Sequence, residues 1–304
     1  MSKRANKNGS LPTIDLSYAR AATILARLPE RGAVTIFLVG CGGTGSYMAQ
    51  HIGRLLHALR DKGTRARAVF VDHDRVEEKN IGRQLFCEAE LGLNKAEALA
   101  YRYGTAWGLE IIAVPKRFDA DLSSPAPRTL HEHTGGWHYD RLDDLTVIVG
   151  CVDNAAGRQE IARALKPNQP GRPPDLWWLD CGNHEDAGQV LLGTATSKKQ
   201  LANGFPSKDI CQALPAPSWQ HPELLKAKRE ETAATRLSCA ELAAANLQSL
   251  NINSRIAAEA ADMLTRLLLT RNLKRFACEL NLAAGSMRSL YATPEAVEAA
   301  VLKT

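Results

Sequence analysis

Val34-Thr35-Ile36-Phe37-Leu38-Val39-Gly40-Cys41-Gly42-Gly43-Thr44-Gly45 is the stretch of sequence that decides the fold. Residues 34–39 form a short apolar run rich in β-branched side chains, the composition of a strand buried on both faces. The run stops at Gly40, and Gly40, Gly42, Gly43 and Gly45 then space a G-x-G-x-x-G turn. Beyond it, Met48, Ile52, Leu55, Leu56 and Leu59 recur at helical intervals on one face. A second apolar run, residues 68–71 (AVFV), ends at Asp72. Residues 34–72 therefore read as strand, glycine turn, helix and strand, a βαβ unit.

Further units follow on the C-terminal side. Residues 94–103 read as a helix, 110–114 (EIIAV) as a strand, and 145–149 (LTVIV) as another buried strand. Residues 155–165 read as a helix, 176–179 (LWWL) as a strand ending at Asp180, and 189–192 (QVLL) as one more. This alternation predicts a Rossmann-like, doubly wound α/β fold with a mostly parallel sheet covered on both faces. Residues 125–140, with proline, glycine and histidine, read as an exposed loop insertion. Residues 203–226, with Pro206, Pro215, Pro217 and Pro222, read as a crossing loop. Residues 239–269 read as helical, with an interruption near 251–253. The expected organisation is an N-terminal segment 1–32, disordered to about Leu11, a nucleotide-binding domain over 33–200, and a crossing loop with C-terminal helices over 201–304.

Composition narrows the function classes. The chain has 304 residues, 45% of them hydrophobic, enough for one large α/β domain or a nucleotide domain with an added lobe. No apolar stretch approaches the roughly 18 residues of a membrane span, and the basic N-terminus lacks a secretory apolar region. A net charge of +5, spread along the chain, comes with no nucleic-acid-binding motif. The seven cysteines include no C-x-x-C pair, which disfavours both a disulfide framework and a four-cysteine zinc site. These features predict a cytoplasmic protein that engages neither membrane nor nucleic acid.

The glycine turn lets a phosphate approach the backbone at a helix N-terminus. Asp72, at the end of the next strand, suits a ribose hydroxyl; the plain alternative is a strand-end cap. Up to this point NAD and ATP fit equally. Asp72-His73-Asp74-Arg75-Val76, then Asn80-Ile81-Gly82-Arg83-Gln84, then Lys95 twelve residues after Arg83, separate them. A dehydrogenase has no use for such an Arg and Lys pair, whereas a triphosphate losing pyrophosphate needs its charge neutralised. In Cys151-Val152-Asp153-Asn154, a carboxylate stands directly after a buried strand, where the crevice of an open parallel sheet lies. Its plain alternative is Asp153 as the N-cap of the following helix.

Residues 72–95 closely resemble the ThiF family, related to MoeB and the ubiquitin-activating enzymes, whose pattern reads D-x-D-x-V-x-x-x-N-x-x-R-Q followed by a lysine. Asp72, Asp74, Val76, Asn80, Arg83, Gln84 and Lys95 fill every fixed position. The resemblance runs over residues 33–193, returns more loosely over 237–269, and is strongest toward the plasmid-associated PRTRC-type branch. It implies ATP-dependent adenylation of the C-terminal carboxylate of a ubiquitin-like β-grasp protein. Gly40, Gly42, Gly43, Thr44 and Gly45 would form the phosphate turn, Asp72 and Asp74 with Gln84 would belong to the nucleotide site, and Asn80, Arg83 and Lys95 would hold the phosphates. Asp153 would bind Mg2+. A homodimer and a conjugating-enzyme-like partner are further implications, and Arg20 or Arg31 would be the arginine that some members supply from before the first strand.

The resemblance also raises a thioester step on a cysteine. Cys239, ahead of the C-terminal helices, is the first choice of nucleophile, with Cys211 and then Cys181 behind it. The zinc-binding C-x-x-C pairs of many bacterial relatives are absent, so no structural zinc is expected; His131, His133 and His138 read as solvated loop residues. Two readings compete: an NAD-dependent oxidoreductase, which the glycine turn and Asp72 also fit, and a catalytically silent nucleotide-binding scaffold in a protein-modification complex.

Overall fold

Every side chain of the strand Val34–Val39 is buried, and it sits in the middle of the five parallel strands of an eight-stranded sheet. The computed structural model describes residues 17–30, 32–123, 144–227 and 251–301. In chain order the strands are β1 Thr23–Ile24, β2 Val34–Val39, β3 Ala66–Val71, β4 Ile111–Val114, β5 Leu145–Gly150, β6 Leu176–Asn183, β7 Ala187–Gly193, β8 Ile210–Cys211, β9 Arg275–Asn281 and β10 Ser286–Tyr291. The helices are α1 Ser17–Arg20, α2 Gly43–Asp61, α3 Lys95–Trp107, α4 Ala155–Ala164, α5 Lys198–Leu201, α6 Pro217–Gln220, α7 Ile252–Leu268 and α8 Pro294–Val301.

The large sheet runs β10-β9-β7-β6-β5-β2-β3-β4. From β4 to β6 all neighbours are parallel, and β7, β9 and β10 extend the sheet antiparallel. The mostly parallel, doubly wound α/β reading therefore holds, and the antiparallel hairpin β9–β10 is an addition to it. Strand β7 had been read as residues 189–192; the hairpin had no reading because its strands are half polar. Residues 203–226 do not form a plain crossing loop: they contain β8, which pairs with β1, and α6.

One face of the sheet packs against α2, α3 and α7, through Met48, Ile52, Leu56, Leu99, Ile256, Leu264 and Leu267. The other packs against α4 through Ile161, Phe37, Ile148 and Trp178. The registers matter most for the site. Val39 pairs with Val71 on one side and with Gly150 on the other, so β2, β3 and β5 end at one level. Gly40, Asp72 and Cys151 are thereby brought to a common rim. The chain runs outward from β2 through β3 to β4, then returns from β4 to β5 on the other side of β2, so the strand order reverses between β2 and β5. This is the switch point at which open α/β sheets leave a ligand crevice. Among the described residues, no helix is long and apolar enough to cross a membrane.

Candidate nucleotide-binding site

A crevice of about 1010 Å³ opens at this rim. Its lining gathers Gly40, Gly42, Gly43, Thr44, Asp72, Asp74, Asn80, Arg83, Gln84, Lys95 and Asp153, which the sequence had scattered over more than a hundred positions. Gly45 sits directly beneath them in α2.

Two glycines of the turn are dictated by contact. Gly40 has φ +87°, and a Cβ there would lie 2.7 Å from the Cys151 carbonyl oxygen. A Cβ on Gly45 would lie 1.9 Å from the carbonyl oxygen of Gly40. Larger residues at either place would push the turn open. Helix α2 starts from Gly42 with no side-chain cap and no acidic residue in its first turn. Its first N–H groups and positive dipole end are therefore offered to an anion.

Asp72 joins both plain and functional readings. Its Oδ2 accepts the Cys41 N–H at 2.6 Å and its Oδ1 the Asp74 N–H at 2.8 Å. The carboxylate thus pins the glycine turn to β3, and each oxygen keeps a lone pair for a further donor. Asn94 clips the next segment: its side-chain amide donates to the Asp72 and Asp74 carbonyls, and its Oδ1 caps α3 by accepting from Ala96 and Glu97. Lys95, the first residue of α3, is thereby aimed at the crevice, with Nζ 3.3 Å from Asp74 Oδ2 and its side chain 8% exposed. Asn80 is buried and accepts the Glu77 N–H, closing the short 3-10 turn Glu78–Asn80, and its carbonyl accepts the N–H groups of Arg83 and Gln84 that follow. Arg83 donates to the Lys79 carbonyl at 3.3 Å and lines the crevice. Gln84 lies over Gly42, and its buried Oε1 has no partner among the described residues.

Across the rim, Asn154 rather than Asp153 caps α4: its Oδ1 accepts the Gly157 N–H at 2.8 Å. Asp153 is exposed, with Oδ1 accepting from Asn154 at 3.1 Å. The capping alternative for Asp153 is thus corrected, because the neighbouring asparagine does that work.

The sequence reading missed several polar residues of this crevice. Arg158 of α4 donates through Nε to Asp180 Oδ1 at 3.0 Å, a pair with side chains 6% and 0% exposed. Burial raises the Asp180 carboxyl above the ordinary range, against the opposing pull of Arg158 and His221. Thr44 of α2, Asn183 of β6 and Asn253 of α7 form a hydrogen-bonded cluster beneath the turn. Arg158, Asn183 and Asn253 belong to no motif, whereas Thr44 stands inside the glycine turn and was among its expected residues.

Cys211, the second choice of nucleophile, is fully buried in β8, and burial pushes its thiol up to about 12. Cys181 is buried too, its thiol raised by a hydrogen bond with Cys151 and by burial. Both environments suppress the thiolate. Arg20 ends α1, exposed, and does not line the crevice. Cys239, Arg31, His131, His133 and His138 lie outside the described residues.

Comparison with known proteins agrees with this geometry. Residues 25–170 match the ThiF family. Adenylyltransferase and sulfurtransferase MOCS3 of Mus musculus is 33% identical over 150 residues, which cover 47% of this chain and 27% of that protein. The chain thus matches about a quarter of the length of that curated relative. Among solved structures, PaaA superimposes with a TM-score of 0.52 at 13% identity, over 85% of this chain and 64% of that one. E. coli MccB, solved with AMPCPP and MccA, gives 0.52 at 14% identity, over 86% of this chain and 65% of that one. At such identities the structural likeness concerns the fold, while the matched segment carries the motif residues. The matched segment, residues 25–170, carries a ThiF-family domain.

Proposed function

We propose that this protein uses ATP to adenylate the C-terminal carboxylate of a ubiquitin-like β-grasp protein. The observation that carries the reading is the pairing, across one crevice, of Lys95 and Arg83 with an Asp153 that its helix does not need as a cap. A dinucleotide site would use the glycine turn and Asp72 but has no call for the rest.

In the proposed reaction the α2 N-terminus and the glycine turn receive phosphate oxygens, and Asp72 accepts from the ribose. A carboxylate oxygen of the protein tail attacks the α-phosphorus. The bond from that phosphorus to the oxygen bridging the β-phosphate breaks, and pyrophosphate leaves with the electron pair. Acyl-adenylate and pyrophosphate are the products. The tail is already ionised near pH 7, so no side-chain base is required. Arg83 and Lys95, with Asn80, stabilise charge on the departing phosphates. The buried Gln84 Oε1 offers an acceptor beside Gly42. Asp153 suits Mg2+, which takes oxygen ligands, commonly one or two carboxylates plus phosphates. Magnesium would supply charge neutralisation at the phosphates.

The family resemblance extends the proposal to a PRTRC-type member acting in the cytoplasm as a homodimer, with residues 33–200 as its ATP-binding part. It also extends to a thioester on Cys239 and a conjugating-enzyme-like partner. Calorimetric titration with Mg-ATP and, separately, NADH tests the core of the reading. Mg-ATP binding alone, followed by pyrophosphate exchange on adding a β-grasp protein, is the expected result. NADH binding alone would replace it with an oxidoreductase, and tight ATP binding without exchange with any β-grasp protein would favour a silent scaffold.

A further inference from the structure

A turn with four glycines in six residues has little of its own to hold it still. Glycine backbone is conformationally free, and a phosphate site needs its N–H groups fixed before the ligand arrives. Thr44 is one of two non-glycine residues in residues 40–45, and the structure ties it down from outside. Its hydroxyl donates to Asn253 Oδ1 at 3.0 Å and accepts from Asn183 Nδ2 at 3.0 Å, while Asn183 also donates to Asn253 Oδ1 at 2.7 Å. Thr44 is 6% exposed and Asn253 4% exposed. Asn253 reaches further still: a Cβ built on Gly43 would lie 2.7 Å from its Oδ1. These three residues come from α2, β6 and α7, and all line the crevice. Asn253 is the second residue of α7, over two hundred positions from the motif it touches.

We propose that Asn253 is a positioning residue for the nucleotide phosphates: by locking Thr44 and Gly43, it makes a competent phosphate turn depend on the docking of helix α7. The inference rests on the adenylation reading and adds to it a residue outside the matched segment. Because the Thr44 hydroxyl is turned to Asn253, the turn's backbone N–H groups are what remain for phosphate.

Two substitutions test this. Asn253→Asp is isosteric and keeps the oxygen that accepts from Thr44 and Asn183, but sets a negative charge against the turn. Asn253→Ala removes the lock. Each is titrated with adenosine, AMP and Mg-ATP, beside the wild type. The expected result for Asn253→Asp is a loss that grows with phosphate content, slight for adenosine and about a hundredfold for Mg-ATP, the scale of a like-charge contact in a partly buried site. Asn253→Ala is expected to weaken Mg-ATP about tenfold, the scale of a lost buried hydrogen bond, and adenosine by less than twofold. Equal losses for all three ligands would mean that Asn253 merely supports the fold, and would overturn the proposal. Unchanged Mg-ATP affinity in both variants would overturn it too, while leaving adenylation standing. Failure of the wild type to bind Mg-ATP would overturn both.

Discussion

Exchanging the roles of two adjacent residues is the sharpest test of the crevice. Asp153 and Asn154 both precede α4, and either residue type can cap a helix. In the structure Asn154 has extended backbone angles, φ −118° and ψ 154°, and its Oδ1 accepts the Gly157 N–H at 2.8 Å. Removing that oxygen in Asn154→Ala leaves a first-turn donor uncapped and is expected to cost about 1 kcal/mol. For a chain of this size that lowers the melting temperature by roughly 2–4 °C. Asp153 is exposed, and its hydrogen bond with Asn154 spans 3.1 Å at the surface. Asp153→Ala is therefore expected to change stability by no more than about 0.5 kcal/mol.

Ligand binding should invert the order. Loss of an outer-sphere partner typically weakens a metal site by about 10- to 100-fold, and loss of a direct carboxylate ligand by at least as much. Titrating each variant with ATP, in excess magnesium and then in chelator, isolates the metal-dependent part of the affinity. Asp153→Ala should lose that part, while Asn154→Ala should retain most of it. Thermal unfolding of the same preparations supplies the stability axis. A destabilised Asp153→Ala beside a thermally silent Asn154→Ala would refute the capping assignment. A fully magnesium-dependent Asp153→Ala would refute the metal role whatever its stability.

Two further outcomes follow from burial and charge. Brief alkylation of the native chain with iodoacetamide at pH 8 should label Cys87, which is exposed, and spare Cys41, Cys181, Cys211 and Cys278, which are buried; native labelling of Cys211 by mass spectrometry would contradict a thiol pushed up to about 12. Glu90 anchors the segment carrying Arg83 and Gln84 to α3 through Arg102. Burial pushes its carboxyl up, but the Arg102 hydrogen bond and charge and the Cys87 N–H outweigh this and hold it below the ordinary range. A carboxyl lowered on folding contributes stability above its unfolded pKa and loses it as pH falls through the folded one. Urea unfolding should therefore find Glu90→Gln weaker by about 1–2 kcal/mol at pH 7, with the gap closing in strong acid; a gap that persists there would assign the loss to packing.

The parts of this site legible in the sequence are those in which one residue type does one local task. Gly40 and Gly45 must be glycine because a carbonyl stands where a side chain would go, and both carbonyls belong to the motif or to the strand end beside it. Lys95 follows a helix cap, and Asp72 follows a buried run, so short-range pattern finds them. Arg158 and Asp180, or Asn183 and Asn253 in their hold on Thr44, follow a different logic. Each is an ordinary polar residue whose position acquires meaning only when β6 and α7 are laid against the glycine turn. A lone asparagine near a helix start reads as a cap, and Asn253 even fell where the sequence suggested an interruption. The hairpin β9–β10 escaped for a related reason: β10 is an edge strand with Met287 45% exposed, and an edge strand need not carry the buried run by which β2 is recognised. The C-terminal part thus reaches the nucleotide turn through side chains that no local period marks. It follows that the matched segment, residues 25–170, contains the glycine turn proposed to receive phosphate but not Asn183 and Asn253, which bond to its Thr44, and that a site drawn from motif residues alone would lack that support.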